Sequence, residues 1–383
     1  MDPRVRDAML PWLDHAFGNP SSIHTFGQAA REAVEGARES VALLLGARPA
    51  ELVFVASGTE ANNAVLRSCA KQNGSQSHLV VSAVEHPSVA NTAKTLQEEG
   101  AEISWVPPDR HGRINPEHMV AELRSNTSLT CLMLANNVVG TVQPVAEVAA
   151  ECRSRGVPVL CDAVQAVGKI PVQVEELGVD YLSLGAHKFY GPLGAAALWV
   201  RQGAEFSPLL VGGAQERQRR AGTVNVSAVV GMGKAAELAV AELRERKTVA
   251  AALRDRFESG LRSIPDVVIH GQQAARLANT SHVAFTGADS QALLIRLDLE
   301  GFAVSAGAAC SSGTVEPSEA LLAMGVSREE ALSALRISFG QGNTIEEVDA
   351  FLGVLTRQVG ELRQAASTGS ADPALQPGMP DAG

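Results

Sequence analysis

Lysine is scarce in this sequence: six residues of 383, against 26 arginines, so a catalytic amine has few places to be. No Lys/Arg-rich block occurs, and 42 acidic against 32 basic residues leave a net charge of −10. That balance disfavours a nucleic-acid or anionic-membrane surface. No apolar run reaches the roughly 18–20 residues of a membrane span, and the charged opening Met1-Asp2-Pro3-Arg4 is unlike a signal peptide. The five cysteines are odd in number and lack CxxC or Cys/His spacing. This argues against a disulfide scaffold and against any metal site, and for a reducing, cytoplasmic setting. Aromatics are only 4% and charged residues 19%, but 45% of the chain is hydrophobic. Such a chain has material for two or three compact units and is not intrinsically disordered over most of its length.

Periodicity divides the sequence into alternating helical and strand patterns up to residue 245. Helical spacing covers 4–17, 28–45, 87–99 and 145–155. Short apolar runs at 52–56, 78–82, 102–106, 129–134, 157–161, 181–184 and 195–200 read as strands. Continuous rather than alternating apolar strands between helices predict an α/β fold with a mainly parallel, seven-stranded sheet covered on both faces. Residues 226–263 read as a long helix or helix pair joining two domains. The remainder predicts a smaller α+β domain, with strands near 267–270, 281–285 and 335–338 and helices at 290–299 and 344–363. The expected division is therefore 1–245, 246–364 and a disordered Ala/Ser/Gly/Pro-rich tail at 365–383.

Chemistry concentrates at strand ends. Gly185-Ala186-His187-Lys188-Phe189-Tyr190-Gly191-Pro192 follows a predicted strand and carries one of the six lysines. A Lys there suits Schiff-base chemistry, a surface loop residue being the alternative. Asp162, in Cys161-Asp162-Ala163-Val164-Gln165, ends another strand. There it could keep a pyridine nitrogen of pyridoxal phosphate (PLP) protonated, or simply cap a helix. Ala56-Ser57-Gly58-Thr59-Glu60 lies between strand and helix, which fits a phosphate cradle and equally a capping box. His86, in Glu85-His86-Pro87-Ser88, could stack on a ring or shuttle protons, or be a solvated loop residue. Asn136 and Asn137 follow the strand at 129–134, as ligand donors or as turn residues.

Cys69, Cys131, Cys152 and Cys161 fall in helices or apolar strands and read as small core residues. Cys310 differs. It sits among Ser, Ala and Gly from 305 to 313, a stretch that suits an exposed, mobile nucleophile. Arg336 stands alone inside an apolar strand, where pairing with a substrate carboxylate or a structural salt bridge would justify its burial.

In order, GNPSSIH (18–24), SGTEANN (57–63), EHPSV (85–89), CDAVQAVGK (161–169), AHKFYGPLG (186–194), GGAQERQRRAGT (212–223), SAGAACSSG (305–313) and LRISFG (335–340) closely resemble the cysteine desulfurases. These are PLP enzymes of the class V aminotransferase, fold-type I group, and the cysteine loop is similar to the NifS/IscS type. The resemblance implies that Lys188 holds PLP covalently, Asp162 pairs with the pyridine nitrogen, Gln165 contacts the phenolic oxygen and His86 stacks on the ring. Asn137 would lie near the phenolic oxygen and the substrate carboxylate. Gly58, Thr59 and His187 would hold the phosphate, with Thr223 contributed by the second subunit of a homodimer. Arg336 would clamp the carboxylate of L-cysteine. Cys310 would take the sulfur as a persulfide and release alanine, with a sulfur-acceptor protein in iron–sulfur cluster assembly or another route as the onward partner.

Three departures accompany the resemblance. Gly185 and Val138 stand where the family usually has Ser and Glu. The strand and Asn-Ala-Thr-Thr-type segment that normally precede the Asp-Pro helix are missing, which predicts that Met1 is an internal start. Alternative readings are a selenocysteine lyase or another class V lyase or aminotransferase, and a truncated, weakly active scaffold.

Overall fold

The computed structural model describes residues 1–72, 76–306 and 316–368. Seven strands form one sheet: β1 (Leu52–Val55), β2 (His78–Ser82), β3 (Glu102–Val106), β4 (Thr127–Cys131), β5 (Val159–Asp162), β6 (Tyr181–Gly185) and β7 (Ala196–Val200). Their spatial order is β1-β7-β6-β5-β4-β2-β3. Strands β2 to β6 pair in parallel, whereas β7 runs antiparallel to both β6 and β1. Two reversals cancel, so β1 points the same way as β6. The C-terminal ends of β1, β2, β4, β5 and β6 therefore open on one edge, where ligands of such sheets bind.

Every residue of β1, β2 and β4 to β7 is buried, which explains why their sequences read as unbroken rather than alternating runs. Val53, Val55, Leu79, Val81, Leu129, Leu160 and Leu198 pack with Ala61, Val65, Leu66 and Cys69 of the helix Gly58–Gln72. Each such Leu or Val contributes about 1.5–3 kcal/mol.

The chain divides into two compact units, Met1–Asn137 with Thr141–Lys247, and Val138–Gly140 with Thr248 onward. The second holds an antiparallel sheet of β8 (Val267–Ile269), β9 (Thr280–Phe285), β10 (Ser305–Ala306) and β11 (Ala334–Ser338), ordered β10-β11-β9-β8. Phe257, Val283, Phe285, Leu293, Leu335, Ile337 and Phe351 form its core. Val138–Gly140 joins this unit through Leu277 N–H, which donates to Gly140 O at 2.8 Å. Gly140 has φ of 80°, and a Cβ there would lie 3.2 Å from Thr280 Cβ, so only glycine fits the approach.

Among the elements whose extents differ from the sequence reading, three are informative. β4 ends at Cys131 rather than 134, although Leu132 and Leu134 still donate to Leu160 O and Asp162 O. Val226–Gly260 is one 35-residue helix. The last helix, Ile345–Thr368, runs through 365–368, because Ala365 and Ala366 propagate a helix well. The rest of the expected tail lies outside the described residues.

Candidate active site

The strand ends of the first unit gather most of the sequence candidates. After β1, Ser57 Oγ accepts from Glu60 N–H at 3.1 Å and Glu60 Oε2 accepts from Ala56 N–H at 2.9 Å. This reciprocal cap starts the helix Gly58–Gln72. Arg220 Nε donates to Glu60 Oε1 at 2.8 Å and fixes that carboxylate. Gly58 is buried and Thr59 exposed on the first turn, where the helix N-terminus offers its partial positive charge. A Cβ on Gly58 would come within 2.7 Å of Val164 Cγ2, so the backbone approaches this corner as only glycine can.

Asp162 is the last residue of β5 and is buried. Its Oδ2 accepts from Asn62 Nδ2 at 2.9 Å and its Oδ1 from Val164 N–H at 3.0 Å. Asn62 lies one turn beyond Gly58 on the same helix and also donates to Ser88 Oγ at 2.9 Å. Burial raises the Asp162 pKa, while these donors, His86 and Ser183 oppose that shift. A buried carboxylate held mainly by neutral donors fits a cationic ring nitrogen, whose charge would favour the ionised form.

His86 caps the helix Pro87–Glu98. Its Nδ1 accepts from Ser88 N–H at 3.1 Å and lies 2.8 Å from Ser88 Oγ. Burial pushes its pKa down; Asp162 opposes this and Lys188 adds to it. The ring is thus neutral at pH 7, with the proton on Nε2, because Nδ1 is the acceptor.

Lys188 sits in a single 3₁₀ turn, Ala186–Phe189, directly after β6. Gly191 N–H donates to Ala186 O at 2.8 Å, and Tyr190 closes the turn at φ of 70°. Asp2 N–H binds Tyr190 O at 3.0 Å, and its carboxylate caps the helix Pro3–Asp14 through Arg4 N–H at 2.8 Å. The side-chain hydrogen bond from Arg4 holds the Asp2 pKa down at about 2. Burial, Lys188 and Lys169 all lower the pKa of His187. Gln165 Oε1 accepts from Lys169 Nζ at 2.7 Å, which leaves its NH₂ as the donating end. At Gly185 the backbone is extended, and a Cβ would stand 3.3 Å from His187 Cε1.

Glu85 has no role in the sequence reading, yet it is buried. Its Oε1 accepts from Met133 N–H at 2.7 Å. Burial, with Asp162 nearby as the second cause, pushes its pKa up to about 8, so it is mostly a neutral acid at pH 7. Beside it, Asn136 is buried and donates from Nδ2 to Val84 O at 2.9 Å, a structural anchor. Asn137 follows, half-buried.

Gly58, Thr59, His86, Asn137, Asp162, Gln165, His187 and Lys188 thus belong to strand ends, loops and helix starts on one edge of one sheet. Thr223 lies in the same unit and is exposed. Arg336 lies on β11 of the second unit, and Cys310 lies outside the described residues. Asn62, Ser88 and Glu85 were missed as functional supports. Asn62 had a usable signal, its i,i+4 spacing from Gly58.

Residues 1–351 match the class-V aminotransferase family. The cysteine desulfurase IscS of Methanosarcina thermophila is 41% identical over 360 residues, covering 94% of this chain and 89% of that protein. The IscS of Dictyoglomus turgidum is 42% identical, with 94% and 92% covered. A solved NifS-like protein superposes with a TM-score of 0.89 at 36% identity, covering 94% of this chain and 96% of its own. The structure of SspA in complex with cysteine gives 0.80 at 31% identity, with 90% and 97% covered. The chain belongs to the class-V aminotransferase family, and within it to the cysteine desulfurases of the IscS/NifS type.

Proposed function

We propose that this chain is a PLP-dependent cysteine desulfurase that transfers the sulfur of L-cysteine to Cys310, yielding L-alanine and an enzyme persulfide. The observation that carries the reading is the pairing of strand ends. Asp162, clamped by Asn62 and Val164, closes β5, and Lys188 follows the adjacent β6. The donor set fits PLP: a helix N-terminus at Gly58 and Thr59 for a phosphate, a buried carboxylate for the ring nitrogen, and an amine for the aldehyde.

Bound PLP supplies an electron sink that weakens bonds at the substrate carbons. The chain's own groups do the rest. Lys188 Nζ would hold the cofactor, and its amine is the group placed to move protons at the substrate carbon. His86 presents its flat neutral ring, with Nε2–H the proton it can hold or move. Asp162, held by Asn62 and Val164, would pair with the ring nitrogen. The NH₂ of Gln165 would donate to the ring oxygen, and Asn137 would serve the same oxygen and the substrate carboxylate. His187 joins the phosphate site, and Thr223 serves the site of a second subunit in a homodimer. Arg336 receives the substrate carboxylate. Cys310 attacks the substrate sulfur as a thiolate, and the carbon–sulfur bond breaks as the sulfur–sulfur bond forms.

We read residues 1–245 as the large cofactor-binding domain and 246–364 as the small one. No helix among the described residues is long and apolar enough to cross a membrane. We further propose that the enzyme works in the cytoplasm and hands its sulfur to an acceptor protein.

The purified chain incubated with PLP should gain a visible absorbance band that Lys188→Ala loses. Sulfide release from L-cysteine under a thiol reductant should vanish in Cys310→Ala. No band at all, or undiminished sulfide without Cys310, overturns the proposal.

A further inference from the structure

The turn read as the phosphate site carries a negative charge of its own. Gly58 and Thr59 open the helix after β1, and the next residue is Glu60. Its Oε2 accepts from Ala56 N–H at 2.9 Å, so the carboxylate is drawn back over the turn that it caps. In a first helical turn a carboxylate ordinarily complements the positive helix end. Where that end must also take a phosphate, the same carboxylate repels the ligand.

Arg220 meets this charge from 160 residues away. Its Nε donates to Glu60 Oε1 at 2.8 Å and its Nη2 to Oε2 at 3.3 Å. Both carboxylate oxygens are engaged, and the two side chains are only 22% and 14% exposed. A guanidinium does not lose its proton in a protein, so the pair as a whole carries no net charge.

The segment that delivers Arg220 is fastened at several points. Glu216 Oε2 accepts from Phe54 N–H at 2.8 Å, on β1 itself, and Arg38 donates to both Glu216 oxygens at 2.8 Å. Arg219 N–H donates to Glu216 O at 3.1 Å, and Gly222 N–H to Gln215 Oε1 at 3.1 Å. Residues 216–220 are thus tied to β1 at one end and to its following turn at the other.

We propose that Arg220 is a positioning residue for phosphate recognition. By pairing with Glu60 it cancels the charge of the cap, so that the helix start at Gly58 and Thr59 accepts a phosphate that an unpaired Glu60 would repel. The role rests on the reading of that turn as the phosphate site of PLP. Arg220 acts through Glu60 and is assigned no contact with the phosphate.

The test compares PLP with pyridoxal, which has the same ring and aldehyde but lacks the phosphate. Each is titrated at low salt into the full-length chain freed of cofactor and followed by absorbance. Arg220→Gln, which leaves Glu60 unpaired, should weaken PLP about tenfold and pyridoxal by less than about twofold. Glu60→Gln keeps an acceptor for Ala56 N–H and leaves Arg220 unopposed, so it should bind PLP at least as tightly as the parent. Arg220→Gln combined with Glu60→Gln removes both charges and should return PLP affinity to within about threefold of the parent.

Unchanged PLP affinity in Arg220→Gln overturns the proposal, and so do equal losses for PLP and pyridoxal, the result of a merely structural pair. A double variant as weak as Arg220→Gln also overturns it, because Arg220 would then touch the phosphate itself. Weakened PLP in Glu60→Gln has the same force. If instead the parent binds pyridoxal as tightly as PLP, the phosphate reading of the turn fails, and the role of Arg220 with it.

Discussion

Arg38 and Glu216, 178 residues apart, form a two-pronged buried ion pair, with Nη1 to Oε2 and Nη2 to Oε1 both at 2.8 Å. Each side chain is 3% exposed. Glu216 Oε2 also accepts from Phe54 N–H at 2.8 Å, and the Arg38 guanidinium lies 4.6 Å from the Phe54 ring centroid. The pair sits at the start of a strained turn: Glu216, Arg217 and Gln218 have φ of 48°, 57° and 65°, and none is glycine. Such backbone persists only where surrounding contacts over-determine it. The turn leads to Arg220, which grips Glu60 at the helix start.

Removing one partner of this pair should therefore be severe. Glu216→Ala leaves the buried Arg38 guanidinium with only the half-exposed Glu35 and Leu52 O as acceptors, and is expected to cost about 3–5 kcal/mol. The double variant Arg38→Met with Glu216→Leu should cost markedly less than the sum of the two single changes. Urea unfolding followed by tryptophan fluorescence checks both, and an additive double variant would refute the coupling.

Asn62 is expected to hold Asp162 in place for the cofactor. Asn62→Ala removes one of two hydrogen bonds to a buried carboxylate, worth about 1.5–3 kcal/mol when the acceptor is charged. PLP affinity, titrated by its absorbance change, should fall roughly tenfold or more. Affinity equal to that of the parent chain would show that Val164 N–H alone suffices.

Glu85 predicts a pH dependence with a defined sign. Its folded-state pKa of about 8 lies above the unfolded value, so between the two the folded chain retains a proton that the unfolded chain releases. Its stabilising contribution is complete below the unfolded pKa and is lost as pH rises toward 8, by about 1.4 kcal/mol per pH unit. Glu85→Gln keeps the acceptor for Met133 N–H and does not titrate. Its stability relative to the parent chain should rise steadily from pH 5 to pH 8 in denaturant titrations; parallel profiles would contradict the buried neutral acid.

Gly58→Ala drives a methyl into Val164 Cγ2 and should destabilise the chain by about 1–3 kcal/mol. Combining it with Val164→Ala removes the obstructing atom, and the melting temperature should recover most of the loss. If the second change gives no recovery, the close approach is not what demands glycine.

Much of the large sheet was legible because burial on both faces imposes unbroken apolar runs, and Lys188, Asp162 and His86 stand at the ends of such runs or just beyond the following turn. The strand at 129–134 was read too long because Leu132, Met133 and Leu134 are equally buried after β4 ends. Glu85 sits beside His86 in the sequence with nothing local to mark its burial. Its enclosure depends on Met133, 48 residues away, and no local pattern records that.

By itself, the sequence determined the alternation of strands and helices, the turn chemistry at each strand end and the short set of residue types able to do chemistry there. Those are local properties, written in periodicity, glycine placement and capping. Tertiary structure alone decided that Asn62 secures Asp162 across 100 residues, that burial raises the pKa of Glu85 and that His270 Nδ1 meets His282 Nδ1. Each depends on desolvation and on contacts between distant segments, and only the folded packing creates them.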